Sequence, residues 1–391
     1  MVITDDNRTA NILNDYFSSV FTLKDKRRVP EPNKIFQSNV SGLVNIEISE
    51  SSVYKKLNEL NVNKSPGPDG IHPKILFELK NELVVTLLRL YKLSLEHCVV
   101  PQEWKDANVT PLFKKGKKDK CENYRPVSLT CILCKILESI IKDNLIEHLD
   151  KYSLVKNSQH GFIKGRSCLT NLLEFFETVT RTLDEGEPVD IIYLDFAKAF
   201  DKVPHKRLVK KLEAHGVTGS TLGWIENWIG NRRQCVNVNG KLSDWNEVCS
   251  GVPQGSVLGP VLFIVYINDL ESKLVTNIKK FADDTKLGRP VGTMQDRLIL
   301  QNDLDQLHKW SEEWLMKFNV DKCSVVHIGK NNSNTLYKLG DKQLKSSDRE
   351  RDLGVIVDSN LKFSEHCNEI IKQANSTLGL IKRTISIKLK M

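Results

Sequence analysis

No stretch of the 391 residues approaches the roughly 18–20 uninterrupted apolar positions of a membrane-spanning helix. The opening segment, MVITDDNRTANILNDYF, is polar and acidic and lacks the apolar core of a secretory signal. No internal repeat and no low-complexity tract longer than one lysine cluster occurs, which excludes solenoid and linker-type architectures. Cysteine is too scarce and irregular for a disulfide framework. The nine cysteines, an odd number, are scattered from Cys98 to Cys367 and fit a reducing interior. Only Cys131 and Cys134 have metal-knuckle spacing. They lie in SLTCILCKILESII, where apolar residues recur at helical spacing and no second pair follows, so they read as a buried helix face.

What is present is the composition of a folded protein: 40% hydrophobic and 27% charged residues exclude wholesale disorder and a fibrous repeat. The length predicts about two to three domains. Lys and Arg outnumber Asp and Glu by 57 to 49, a net +8 that leans toward a polyanionic partner.

Periodicity and turn residues predict the elements in order. A short helix covers about 10–21, followed by a polar linker, and another helix opens near Ser51. The loop NKSPGPDGIHP leads to a helix with Leu76, Leu79, Leu83, Leu87 and Leu90 on one buried face. A strand over 108–113 runs into KKGKKDK, and a helix follows Arg125-Pro126 with Leu129, Leu133, Ile136 and Ile140 on one side. After QHGFIKGRS comes a helix over about 168–183. VDIIYLDF is then a continuously apolar, buried central strand with Asp195 near its end. Asn239-Gly240 marks a hairpin, and GVPQGSVLGP precedes the apolar helix VLFIVYINDL. In NIKKFADDTKL two short strands are joined at Asp283-Asp284. A long amphipathic helix over about 293–318, a strand at SVVHIG, a hairpin at LYKLGDKQLK and a basic helix from about Ser364 complete the chain. Helices and strands mix without strict alternation, which predicts an α+β fold with an antiparallel sheet under helices.

Two segments put carboxylates where structure alone rarely needs them. A charge at the tip of an apolar strand, Asp195, is costly unless paired or metal-bound. Asp283-Asp284 sits in a hairpin turn, where aspartate is also a common turn device. Three aspartates at two strand ends, with no histidine nearby, offer the hard oxygen ligands that Mg²⁺ prefers, with room left for water and phosphate. Two such ions about 3.5–4 Å apart can activate a hydroxyl and stabilise a leaving pyrophosphate.

YLDFAKAFDKV, GVPQGSVLGP and FADDTKL resemble, in order and separation, the palm motifs of reverse transcriptases, most closely those of non-LTR retrotransposons of the jockey/CR1 (LINE) type. NKSPGPDGIHPKIL, NYRPVSL, QHGFIKGRS, WLMKFNVDKCSVVHIG and DLGVIVDSNLKF extend the resemblance from about Asp15 to the C-terminus. It implies a right-hand polymerase: a pre-polymerase linker over 1–50, fingers with template-side helices over 51–188, a palm over 189–345, and the palm end with an incomplete thumb over 346–391. The implied activity is RNA-directed DNA polymerisation with two Mg²⁺ ions (Mn²⁺ as a substitute), using an RNA template, a DNA primer and dNTPs.

Residue by residue, the resemblance puts the metal-binding carboxylates on Asp195, Asp283 and Asp284, with Asp284 less directly engaged. Phe200 falls at the aromatic gate against the sugar 2′-hydroxyl. Gln254 and Gly255 fall in the loop backing the incoming nucleotide. Lys114 or Lys115 and Arg125 match the fingers residues on the triphosphate, where a guanidinium fork suits phosphate oxygens. Lys322 aligns with a lysine that protonates the leaving pyrophosphate. Neither an endonuclease domain nor a Cys/His knuckle accompanies these motifs, so nicking of target DNA is expected from elsewhere. A non-catalytic RNA-binding copy and an RNA-dependent RNA polymerase are the alternatives; a metal-dependent nuclease explains neither Phe200 nor Gln254-Gly255. The expected setting is intracellular, nucleus or cytoplasmic ribonucleoprotein, without a membrane partner.

Overall fold

Two interleaved units are formed by this chain: 1–157, 197–270 and 311–317 make the first, and 158–196, 271–310 and 318–391 the second. The computed structural model describes residues 5–22, 28–37 and 42–388. Residues 1–4, linker positions 23–27 and 38–41, and 389–391 at the end of the basic C-terminal segment lie outside the described residues.

In the first unit, the strand Asp106–Phe113 pairs antiparallel with Tyr124–Thr130 and parallel with Arg232–Val238. Arg232–Val238 turns through Asn239-Gly240 into Lys241–Leu242 and also pairs with Asn246–Val248. Both residues of the Asn239-Gly240 turn have positive φ, as a two-residue hairpin of matching twist requires. The helix Asp6–Ser19 lays Ala10, Leu13 and Phe17 over Val109 and Val236. The helix Gly259–Ile267 is buried on every side, as its unbroken apolar sequence demands.

NYRPVSL, expected at the entry of a helix, is instead the edge strand Tyr124–Thr130, and the helix begins later, at Ile132. Pro126 stands opposite Pro111 in the register. A residue without an N–H is tolerated on an edge, so the proline marks the strand and not a helix start. Cys131 and Cys134 are buried at the start of the following helix, and burial pushes the Cys131 thiol up to about 12. The single leucine face expected after the Pro/Gly loop is also corrected. The segment breaks into Pro73–Glu78 and Lys80–Glu96 at Leu79, and this phase change leaves Leu79 46% and Leu90 38% exposed. The second helix buries Val84, Leu87, Tyr91 and Leu95 instead, with the Tyr91 hydroxyl donating to the Leu133 carbonyl at 2.9 Å.

The second unit is organised on a five-stranded sheet in the order Lys345–Ser346, Ser324–Ile328, Val189–Leu194, Asp284–Pro290 and Asn277–Phe281. Val189–Leu194 is central, antiparallel to both neighbours, as its apolar run predicts. The helix Cys168–Asp184, opened by a reciprocal Ser167–Thr170 capping box, sets Phe175 and Val179 against Val189, Ile191, Val326 and Ile328. Asp190, inside the central strand, is fully buried. It accepts hydrogen bonds from His327 Nδ1 (2.7 Å), Asn332 Nδ2 (2.9 Å) and the Tyr337 hydroxyl (2.8 Å). That carboxylate is satisfied within the fold.

Candidate active site

The hairpin formed by Asn277–Phe281 and Asp284–Pro290 closes on the pair Phe281–Asp284, so its two-residue turn is Ala282-Asp283 and Asp284 opens the second strand. Ala282 has φ +56°, a value that costs a non-glycine residue energy and that clusters at functional turns. On the central strand the last pair with this hairpin is Leu194–Thr285. One step further along both chains stand Asp195 and Asp284, and Asp283 follows at the turn. Successive positions of paired strands carry neighbouring side chains, so the three sequence-predicted aspartates share one end of one sheet.

Asp195 is held firmly through its backbone. Its carbonyl accepts from the Asn319 N–H at 2.7 Å, and its own N–H donates to Cys323 Sγ at 3.4 Å. Phe196, next in sequence, stacks on Phe318 with ring centroids 4.5 Å apart. The Asp195 side chain is 31% exposed overall, yet its Oδ2 is occluded and accepts no hydrogen bond. Lys322 Nζ lies 3.2 Å from that oxygen without hydrogen-bond geometry. An occluded carboxylate oxygen without a donor suits a cation ligand. Among the described residues no group of three or more His, Cys, Asp or Glu side chains is placed to hold a metal ion, so Asp195, Asp283 and Asp284 do not gather into a ready-made site. Magnesium does not need one: it binds through one or two carboxylates and fills its remaining positions with water and substrate phosphate.

The other candidates lie in the first unit. Phe200, in the short turn Ala199–Asp201, stacks on Phe263 at 4.4 Å between centroids, 21° from parallel. Its carbonyl accepts from the Val252 N–H (2.8 Å), and the Asp201 carbonyl accepts from Ser250 Oγ (2.7 Å). Gln254 Nε2 donates to Asp201 Oδ1 at 2.8 Å, and the Gln254 carbonyl accepts from the Ser128 N–H at 2.7 Å. Gly255 has φ +122°, and a Cβ there would meet the Ser128 carbonyl oxygen at 2.5 Å, so both conformation and space demand glycine. Phe200, Gln254 and Gly255 thus form one hydrogen-bonded assembly. Arg125 and the exposed Lys114 and Lys115 lie on the neighbouring hairpin.

Three contributors escaped the sequence reading. Asp201 anchors Gln254, and burial raises its carboxyl above the usual range. Glu138, fully buried, accepts from the Val257 and Leu258 N–H groups at 2.7 and 3.2 Å and from Trp228 Nε1 at 3.2 Å, fixing the exit of the same loop. Gln159 contacts the Ala282 turn. None of the three stands out in the sequence: Asp201 directly follows Phe200 in YLDFAKAFDKV, Glu138 lies on an apolar helix face, and Gln159 lies in QHGFIKGRS.

The mixed helices and sheets make an α+β polymerase fold. A family profile described as reverse transcriptase (RNA-dependent DNA polymerase) matches residues 114–363. The chain belongs to the reverse transcriptase family, whose members use divalent metal ions. It is 27% identical over 323 residues to the RNA-directed DNA polymerase from mobile element jockey of Drosophila melanogaster, covering 80% of this chain and 35% of that protein. It is likewise 27% identical over 285 residues to the probable RNA-directed DNA polymerase from transposon BS of the same fly, covering 70% of this chain and 31% of that protein. The Pol polyprotein of the type-2 element R2DM is 26% identical over 284 residues, 70% of this chain and 26% of that protein. The chain therefore spans about a third or less of the length of these curated relatives. No helix among the described residues is long and apolar enough to cross a membrane.

Proposed function

We propose that these residues carry the RNA-directed DNA polymerase core of a jockey-like non-LTR retrotransposon, acting on an RNA template, a DNA primer and dNTPs within an intracellular ribonucleoprotein. The single observation that supports the reading is the Leu194–Thr285 register, which continues to Asp195 and Asp284 next to the Ala282-Asp283 turn, with Asp195 Oδ2 accepting no hydrogen bond. The fingers, palm and thumb boundaries near 51, 189 and 346 belong to the same proposal.

Asp195 and Asp283 would hold two Mg²⁺ ions, with Asp284 supporting. When bound, the ions would lower the pKa of the primer hydroxyl and neutralise charge at the phosphates. The 3′-hydroxyl gives its proton to solvent water as its oxygen attacks the α-phosphorus, the bond from that phosphorus to the α,β-bridging oxygen breaks, and pyrophosphate leaves with the electron pair. Lys322 is the proton donor to that leaving group. Its ammonium lies 3.2 Å from Asp195 Oδ2. Phe200, braced by Phe263, excludes a ribose 2′-hydroxyl. Gln254 and Gly255 back the incoming nucleotide, and Arg125 with Lys114 or Lys115 grips its triphosphate.

Primer extension on an RNA template with Mg²⁺ and dNTPs tests the reading. The full chain should extend the primer, and Asp283→Ala should lower the rate by at least about 10²–10³-fold, as expected when a charge-stabilising group at the reacting centre is removed. Equal extension by both proteins contradicts it. Binding of RNA without extension by either leaves the non-catalytic alternative in its place.

A further inference from the structure

The segment Ser158–Gly161 lies along the strand Asn277–Phe281, within the second unit. The Lys280 N–H donates to the Ser158 carbonyl at 2.8 Å, and the His160 N–H donates to the Lys280 carbonyl at 2.9 Å. Between them Gln159 is 1% exposed and turns its side chain toward the aspartate-bearing turn. Gln159 Oε1 accepts from the Ala282 N–H at 3.0 Å and from the Gly161 N–H at 2.8 Å. Gly161 presses on the same place: a Cβ there would overlap the Ala282 nitrogen. Ala282 is buried and strained at φ +56°, so without the carboxamide its N–H would be left unpaired inside the protein.

We propose that Gln159 is a positioning residue for catalysis: its carboxamide oxygen, with Gly161 as a close-packed stop, fixes the Ala282-Asp283 turn and thereby the direction in which Asp283 presents its carboxylate to a divalent cation. The inference rests on the assignment of Asp283 made above. Two donors converging on one oxygen also settle the orientation of the amide, since Nε2 cannot accept either N–H. A strained turn persists only where its surroundings over-determine it, and here the surroundings are a side chain and a glycine from a segment more than a hundred residues away in the chain.

The test uses the full chain, with Gln159→Leu removing the acceptor, Gln159→Glu keeping it, and Asp283→Ala as the reference. Gln159→Leu is expected to lower kcat for single-nucleotide addition by about 10–100-fold, the scale of a misplaced catalytic group, with KM for dNTP unchanged. It should also weaken Mn²⁺ binding, followed by electron paramagnetic resonance, several-fold. Gln159→Glu should recover most of both. If Asp283→Ala abolishes activity while Gln159→Leu retains wild-type kcat and Mn²⁺ binding, Gln159 does not position the turn. If Gln159→Glu is as impaired as Gln159→Leu, the acceptor is not what matters, and the proposal is overturned as well. If Asp283→Ala itself keeps wild-type activity, the assignment of Asp283 fails instead. Should Gln159→Leu not fold, hydrogen exchange at Ala282 in the wild-type chain decides: a slowly exchanging amide, accelerated in Gly161→Ala, supports the bond, and an unprotected amide removes it.

Discussion

Phe200 owes its proposed selectivity to a second ring. Stacked 4.4 Å from Phe263, which is completely buried, it cannot swing aside to admit a larger sugar without breaking that contact. Phe200→Ala should therefore raise the efficiency of rNTP incorporation relative to dNTP by about 10-fold or more, the scale a pocket gains by losing one steric exclusion of 1–3 kcal/mol. Steady-state kcat/KM for the paired nucleotides measures it, and an unchanged ratio removes the gate assignment. Lys322→Met should lower kcat for nucleotide addition by about 10²–10⁴-fold, the contribution of a positioned proton donor, with KM for dNTP little changed. An unaltered kcat removes the proton-donor assignment. Residues such as these can be proposed from the sequence because they fall in short motifs. Asp201, Glu138 and Gln159 cannot be, because each acts through a partner 53 to 123 positions away, and one-dimensional spacing carries no trace of such pairs.

Pattern alone placed some elements correctly and misplaced others. VDIIYLDF could only be buried on both faces, and it is the centre of its sheet. NYRPVSL reads as strand or helix entry, and only the edge position opposite Pro111 resolves it. The leucines from Leu76 to Leu90 keep nearly helical spacing, yet the break at Leu79 rotates the next helix and moves Leu90 outward. Acid sensitivity also belongs to this scale, at the C-terminal end of the helix His205–Ala214. His215 donates through Nδ1 to the Lys211 carbonyl (2.7 Å) and accepts at Nε2 from Asn268 (3.0 Å), an arrangement that needs the neutral ring. Burial lowers its pKa to about 4. A base whose folded value is depressed contributes stability that is complete above its unfolded value of about 6.5 and is lost as pH falls toward 4. The total is on the order of 3 kcal/mol, from roughly 1.4 kcal/mol per pH unit. Urea unfolding at pH 7.5 and 5 should reveal the loss, and His215→Gln should flatten it. An unchanged slope in the variant would assign the acid sensitivity elsewhere.

For the whole molecule, the excess of 57 basic over 49 acidic residues is modest, and its distribution matters more than its size. Lys114, Lys115, Lys117, Lys118 and Lys120 crowd one exposed loop between paired strands, a placement that suits phosphate and not base recognition. Affinity for an RNA–DNA duplex should fall steeply and linearly with the logarithm of salt concentration. Replacing two of these lysines by alanine should lower the slope by about 1–2, with little dependence on sequence. The central claim is narrower: Asp195 and Asp283 share divalent cations. Its most direct measurement is a Mn²⁺ titration, by electron paramagnetic resonance, of the full chain with primer–template and dNTP bound. Wild-type protein should bind tightly, Asp195→Asn and Asp283→Asn should each weaken binding by at least about 10-fold, as loss of a metal-site partner typically does, and the double variant should fall little further. Identical Mn²⁺ binding in all four proteins would contradict a shared cation site.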